Sequence, residues 1–271
     1  MAVINTNVAA TLTANALSRN DRAATQAMER LSTGLKINSA ADDAAGMAMS
    51  NTMTAQVKGL NMAVKNANDA ISMIQTADGA SIEIGDMLQR MRELGVQAVN
   101  GTLTDADRTQ LNLEYQQLMT EVTRVGTNTE WNGTALLAGS IGSSGTVTFQ
   151  IGDTAQTMNV AFGTLTAAGD LGLTGDITDS TNAAAAILDV DVAIVALNTQ
   201  RATYGAAINR LEHTVDNLSN VSMNTQAALS RIQDADYAAE STALAQTQII
   251  AQAGTAMLAQ ANQQAQTVLA L

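Results

Sequence analysis

Proline and cysteine are both absent from the 271 residues, histidine occurs once, and aromatic residues make up only 2%. Without a thiol there is no disulfide framework and no thiolate metal site. With His213 as the single imidazole, any site needing two is excluded. No proline-rich linker divides the chain. No run of about 18 apolar residues is present, so no membrane span is expected. The first residues lack a basic stretch followed by an apolar one, so no cleavable secretory signal is expected. Basic residues are scarce as well, 13 against 25 acids, for a formal charge of −12. That excludes nucleic acid as a partner, because phosphate binding needs clustered Lys and Arg. The imbalance is uneven. Residues 1–45 carry four acids and four bases, whereas residues 136–180 carry four acids and no base. The ends can therefore associate without strong self-repulsion, while the middle has the charge of a solvated surface.

Hydrophobic residues still account for 46% of the chain, mostly Ala, Val, Ile, Leu and Met, and they are periodic. Met53, Val57, Leu60, Val64, Ala67, Ile71 and Ile74 alternate spacings of four and three, a heptad seam. The stripe falters over Gln75–Ser81 and resumes at Ile84, Leu88, Met91 and Leu94. A continuous helix over 46–98 would be about 80 Å long, a length suited to coiled coils and bundles. Thr104 is a candidate N-cap, with Asp105 and Asp107 in the first turn where the helix dipole favours acids. Leu111, Tyr115, Leu118, Val122 and Val125 continue the pattern, and Gly126 and Asn128 read as stop signals.

The pattern changes at Trp131-Asn132-Gly133. Two alternating stretches, Val147–Ile151 and Met158–Phe162, predict a β-hairpin. Residues 163–181 are rich in Gly, Thr and Asp and read as an irregular surface loop. Heptads return at Ile187, Val190, Ile194, Leu197, Tyr204, Ile208, Leu211, Val215 and Leu218, with Arg201 interrupting. The terminal stripes are thinner: Val8, Leu12, Leu17, Ala24, Met28 and Leu31 at one end, and Leu244, Thr247, Ala251, Gly254, Leu258, Ala261, Ala265 and Val268 at the other. Small residues permit close helix approach but bury little area, so neither end is stable alone. The expected fold is mainly α: a long antiparallel helical bundle or coiled-coil rod, with a small β-hairpin region and paired N- and C-terminal helices.

Several motifs then stand in a recognisable order. They are Ala2–Val8, Leu31–Asn38, Ala40–Gly46, Gln89–Leu94, Trp131–Gly133, Ser230–Tyr237, Gln252–Gly254 and Leu258–Asn262. On these motifs the chain closely resembles bacterial flagellin from end to end. The tail Ala265–Leu271 departs from the usual flagellin ending.

The resemblance implies a structural subunit that self-assembles head-to-tail into the flagellar filament used for swimming. It implies a terminal helical domain forming the inner tube (1–45 and 235–271). A surrounding rod domain follows (46–162 and 182–234, hairpin at about 147–162), with 163–181 as a short variable surface loop leaving no room for an outer domain. Polymerisation is then expected from Val8, Leu12, Leu17, Met28, Leu31, Leu244, Ile250, Met257, Leu258 and Val268. In some flagellins, residues matching Arg90, Leu94 and Glu114 contact a host Toll-like receptor, which makes Gln89, Arg90, Leu94, Gln97 and Glu114 candidates for that contact or for subunit packing.

The implied partners are copies of the chain, the type III flagellar export apparatus, an export chaperone, the filament cap and the hook-junction proteins, with a secreted, extracellular location. A chain without cysteine or proline suits export in an unfolded state, with no disulfides or slow prolyl steps. A hook–filament junction protein and a secreted coiled-coil adhesin stand as alternatives. No catalytic residues, metal or cofactor are expected. Asp42-Asp43 reads better as a helix N-terminus than as a carboxylate pair, and His213 as a solvated helix residue.

Overall fold

The computed structural model describes residues 6–269, with side chains described through Gln263. Five helices and two small sheets follow in the order α1 (Val8–Thr33), α2 (Ala44–Val99), α3 (Asp105–Asn128), β1 (Glu130–Trp131), β2 (Thr134–Ala135), β3 (Thr146–Gln150), β4 (Thr157–Ala161), α4 (Ser180–Gln233) and α5 (Tyr237–Leu269). The chain divides into two compact units, residues 1–57 with 223–271 and residues 58–222. The division falls within α2 and α4.

In the second unit, three long helical segments meet. Arg92 pairs with Asp191 at 2.7 Å, Arg201 with Asp78 at 2.8 Å, and Asn61 accepts from Ser222 at 2.9 Å, so α2 and α4 run in opposite directions. The Arg201 that interrupts the α4 seam is thus one half of an interhelix ion pair. α3 returns along α2 after a tight connection. Thr104 caps it with a full capping box: its hydroxyl accepts from the Asp107 amide, and the Asp107 carboxylate accepts from the Thr104 amide. The Thr104 hydroxyl also donates to the Asp107 carboxylate at 2.7 Å, and this bond, with the one from the Thr104 amide, holds the Asp107 carboxyl below its usual range. Arg108, 8% exposed, donates to the carbonyls of Ala98 and Asn100 at the end of α2.

The seam of α2 does not falter. Ala77 and Ser81 are both fully buried and bridge Ile74 to Ile84 at spacings of three and four. Ser81 satisfies its hydroxyl by donating to the Ala77 carbonyl at 2.7 Å. Ala63, Ala67 and Ala70 occupy the earlier core positions, while Val64 and Ile71 are only half-buried. The same small-residue rule governs α4, where Ala183, Ala186, Ala193 and Ala207 lie in the core.

Gly126 is no stop signal. It sits inside α3, buried, where a Cβ would stand 2.3 Å from the Leu165 carbonyl oxygen. The helix runs on to Asn128. Trp131-Asn132-Gly133 forms the bend of the β1–β2 hairpin, with Asn132 and Gly133 both at positive φ (50° and 77°), as a type I′ turn requires. The second hairpin pairs Thr146–Gln150 with Thr157–Ala161, one residue earlier than the alternation predicts.

Of residues 163–181, 163–179 are irregular and the last two open α4, and the segment is not a surface loop. Leu165, Leu171, Leu173 and Ile177 are each at most 2% exposed and belong to the main core. Glycines and threonines supply the turns, and the apolar residues between them peg the segment down without any regular period. Beside it, Tyr204 donates to the Phe162 carbonyl at 2.6 Å, its ring 5.8 Å from that of Phe162. Tyr204→Phe is expected to cost about 1–3 kcal/mol, because the buried carbonyl loses its donor. Tyr115 is equally buried, but its hydroxyl has no partner among the described residues, and burial pushes its phenol up to about 12. Tyr115→Phe is therefore expected to be neutral or stabilising. Urea denaturation of both variants checks the contrast, and equal losses would contradict it.

Among the described residues, α4 is long and apolar enough to cross a membrane, with an 18-residue window of mean hydropathy 1.6 that is 28% buried. The helix meets this measure by length and composition only, and an unbroken apolar run is still absent from it. Asp189 and Asp191 interrupt any such run, while Ala, Val and Ile still raise the mean. Part of this apolar surface faces the core through Val190 and Leu197, and part is exposed at Leu188, Val192 and Val195.

Candidate assembly surface

The first unit is built around the pairing of α1 with α5. Gly34, at φ 73°, ends α1 by donating its amide to the Arg30 carbonyl. The chain then crosses the opposite connection, where the Lys36 amide donates to the Gln233 carbonyl and the Ala235 amide to the Gly34 carbonyl. α1 and α5 run antiparallel. Asn7 donates to the Ala261 carbonyl at 3.0 Å, Asn20 to that of Thr247 at 2.7 Å, and Tyr237 to that of Leu31 at 2.9 Å. Arg30 and Glu240 form an ion pair at 2.9 Å. Asn20, buried in the seam, fixes the register, since a polar side chain there is satisfied in only one alignment.

The seam itself alternates small side chains with four leucines. On α1 the protected positions are Ala10, Thr13, Leu17, Asn20, Ala24, Ala27 and Leu31, again at spacings of three and four. On α5 they are Glu240, Leu244, Thr247, Ala251, Gly254, Leu258 and Ala261. The expected α5 stripe is therefore the one observed as far as its side chains are described. The α1 stripe is observed in part, at Leu17, Ala24 and Leu31. Val8, Leu12 and Met28 point outward, at 63%, 69% and 56% exposure. Ala10, Thr13 and Ala27 take the remaining seam positions, where small side chains let the two helices approach.

The ten residues expected to drive polymerisation thus fall into two sets. Leu17, Leu31, Leu244 and Leu258 hold α1 against α5. Val8, Leu12, Met28, Ile250 and Met257 stand exposed. Val268 lies in α5, but its side chain is outside the described residues, as are residues 2–5 of the first motif. Ile249, Tyr237, Met49 and Met223 are also exposed apolar residues of this unit. The sequence reading missed them because they lie off the regular stripes.

Of the receptor candidates, Gln89, Arg90, Gln97 and Glu114 are exposed on α2 and α3. Arg90 donates from Nε to Glu114 and from a terminal nitrogen to Glu93, both at 2.9 Å, and hydrogen bonding to Glu114 raises the guanidinium further. Gln89, Arg92, Glu93, Val96 and Gln97 line a shallow pocket of about 520 Å³. Leu94 does not belong to this surface. It points into the core at 1% exposure, because it continues the α2 seam after Met91.

Asp42 and Asp43 serve local turns. Asp42 accepts from the Ser39 amide and hydroxyl and the Asn38 amide, which holds its carboxyl below the usual range. Asp43 accepts from the amides of Ala45 and Gly46 at the start of α2. His213 is exposed on α4. Among the described residues, no group of three metal-ligating side chains comes together.

Comparison with known proteins agrees with this arrangement. Residues 4–141 match the bacterial flagellin N-terminal helical region, and residues 187–271 the bacterial flagellin C-terminal helical region. A flagellin of Halalkalibacterium halodurans is 44% identical over 272 residues, covering 99% of each chain. The crystal structure of Bacillus cereus flagellin superposes with a TM-score of 0.51 at 32% identity, covering 61% of this chain and 94% of that one. A putative flagellar hook-associated protein of Vibrio parahaemolyticus shares the fold, with a TM-score of 0.60 at 13% identity over 71% of this chain and all of that one. With both family regions matched in order and a flagellin aligned along nearly its whole length, the chain belongs to the bacterial flagellin family.

Proposed function

We propose that the chain is a structural subunit of the bacterial flagellar filament and that it assembles through the outward apolar face of α1 and α5. The observation that carries this reading is the set of large apolar residues that stays exposed on both helices once their seam is formed. Leu17, Leu31, Leu244 and Leu258 join alanine and threonine in that seam, while Leu12, Met28, Ile249 and Met257 face water. Such a face is costly to leave hydrated and marks a surface for other chains. Copies of the same unit can cover it. If each contact joins two different faces and the rotation does not close, the product is an open helix.

In this reading, residues 1–45 and 235–271 form the inner tube. Residues 46–162 and 182–234 form the layer around it, and 163–181 packs into the core of that layer and leaves no outer domain. Leu17, Leu31, Leu244 and Leu258 keep the pair together, while Val8, Leu12, Met28, Ile250 and Met257 meet neighbours. The chain is exported by the flagellar type III apparatus with a chaperone, works outside the cell, and adjoins the filament cap and the hook-junction proteins. It acts as scaffold and not as an enzyme. Gln89, Arg90, Gln97 and Glu114 are the surface offered to a neighbouring subunit or a host Toll-like receptor.

Seeded elongation tests the reading. Monomer mixed with short filament seeds is followed by sedimentation and negative-stain electron microscopy. Long uniform filaments are expected. A chain that caps seeds without elongating them would instead favour a junction protein.

A further inference from the structure

Exposed thioethers are concentrated in the first unit. Met28 on α1, Met49 on α2, Met223 on α4 and Met257 on α5 are between 51% and 63% exposed. Among the described residues of the second unit, Met62 alone is comparably exposed, while Met73, Met91 and Met158 are buried in its core. Met49 also lines a shallow, largely apolar pocket of about 370 Å³ with Ala48, Thr52, Met53 and Gln56. With no cysteine in the chain, the thioether is its one oxidisable sulfur, and in the free subunit these four are open to dissolved oxidants.

We propose that Met28, Met49, Met223 and Met257 are reversible oxidation sites that control whether a free subunit can join the filament. The reaction is two-electron transfer from sulfur to a peroxide. The sulfur lone pair attacks one peroxide oxygen, the S–O bond forms as the O–O bond breaks, and the departing hydroxide takes the remaining proton to leave as water. The thioether is oxidised to a sulfoxide and the peroxide is reduced. The product is polar and chiral where the thioether was apolar and pliable. Its oxygen needs a hydrogen-bond donor, which water supplies in the free subunit and an apolar neighbour does not. Each sulfoxide buried between copies is therefore expected to lower incorporation about tenfold or more. Methionine sulfoxide reductases reverse the change. The inference rests on the proposed assembly through this unit.

Full-length monomer is exposed briefly to hydrogen peroxide, so that most chains carry a single sulfoxide, and is then offered to filament seeds. Peptide mass spectrometry measures the sulfoxide fraction at each methionine in the pellet and the supernatant. This competition needs no variant, so folding defects do not enter. Sulfoxide at the four positions is expected to be enriched about tenfold in the supernatant, and reductase treatment before seeding is expected to abolish the enrichment. Equal partition of oxidised and unoxidised chains at all four positions would overturn the proposal. If untreated monomer fails to enter the pellet, the assembly reading itself fails, a result distinct from equal partition.

Discussion

Replacing Leu12 and Ile249 together with glutamine is expected to slow seeded elongation about a hundredfold or more, because two large aliphatic side chains lose their burial between subunits. Both are more than two-thirds exposed in the single chain, and neither belongs to the α1–α5 seam. Glutamine has nearly the helix propensity of leucine. Thermal stability of the free chain is therefore expected to change within about ±0.5 kcal/mol, the range for surface substitutions. The combination of intact fold and lost elongation separates an assembly surface from a folding surface. Normal elongation by the double variant, measured by sedimentation against wild type, would remove these residues from the interface.

Leu171→Ala is expected to destabilise the second unit by about 2–5 kcal/mol, the range for emptying a buried leucine site. Leu171 is 1% exposed within the core, although it sits in a segment whose composition is that of a loop. Urea denaturation followed by circular dichroism measures the loss. In a truly solvated loop the same substitution would change stability by less than about 0.5 kcal/mol, and a result of that size would contradict the packing described here.

Segment 163–181 shows why part of the fold is not legible in the sequence. Periodicity finds helices and strands, but Leu165, Leu171, Leu173 and Ile177 have no period. They peg irregular backbone into the core one residue at a time. Where the structure is periodic, the sequence does better. α2 spans Ala44–Val99 without a break, and the Thr104 cap, the second hairpin to within one residue and the pairing of the terminal helices all follow from local chemistry.

Two of the remaining differences share one cause, the greater weight that a sequence pattern gives to large apolar residues than to small ones. That weighting puts a gap at Ala77 and Ser81, which are core, and puts Val8, Leu12 and Met28 in a seam that Ala10, Thr13 and Ala27 fill beside Leu17, Ala24 and Leu31. Leu94 is a different case, since its heptad position sends it inward and only the resemblance names it as a surface contact. Gly126 reads as a helix stop because glycine commonly ends helices. Its absent side chain makes room for the Leu165 carbonyl from a segment distant in sequence, and no local signal reveals that contact.

For the proposed assembly surface, the terminal helices are legible in the sequence but the direction of their side chains is not. The terminal helices were identified by their thin stripes and by resemblance. Which side chains face the partner helix and which face outward depends on the register that Asn20 and the Arg30–Glu240 pair fix. Ile249 and Met223 emerge as exposed apolar residues only once that geometry is known.

The most direct test is an electron cryomicroscopy reconstruction of filaments grown from this chain, reading the environment of Leu12, Met28, Ile249 and Met257. The account predicts that all four are buried against neighbouring subunits in an inner tube of α1 and α5, with no globular layer beyond the second unit. Filaments in which these side chains remain solvent-exposed, with contacts made instead through the second unit alone, would contradict it.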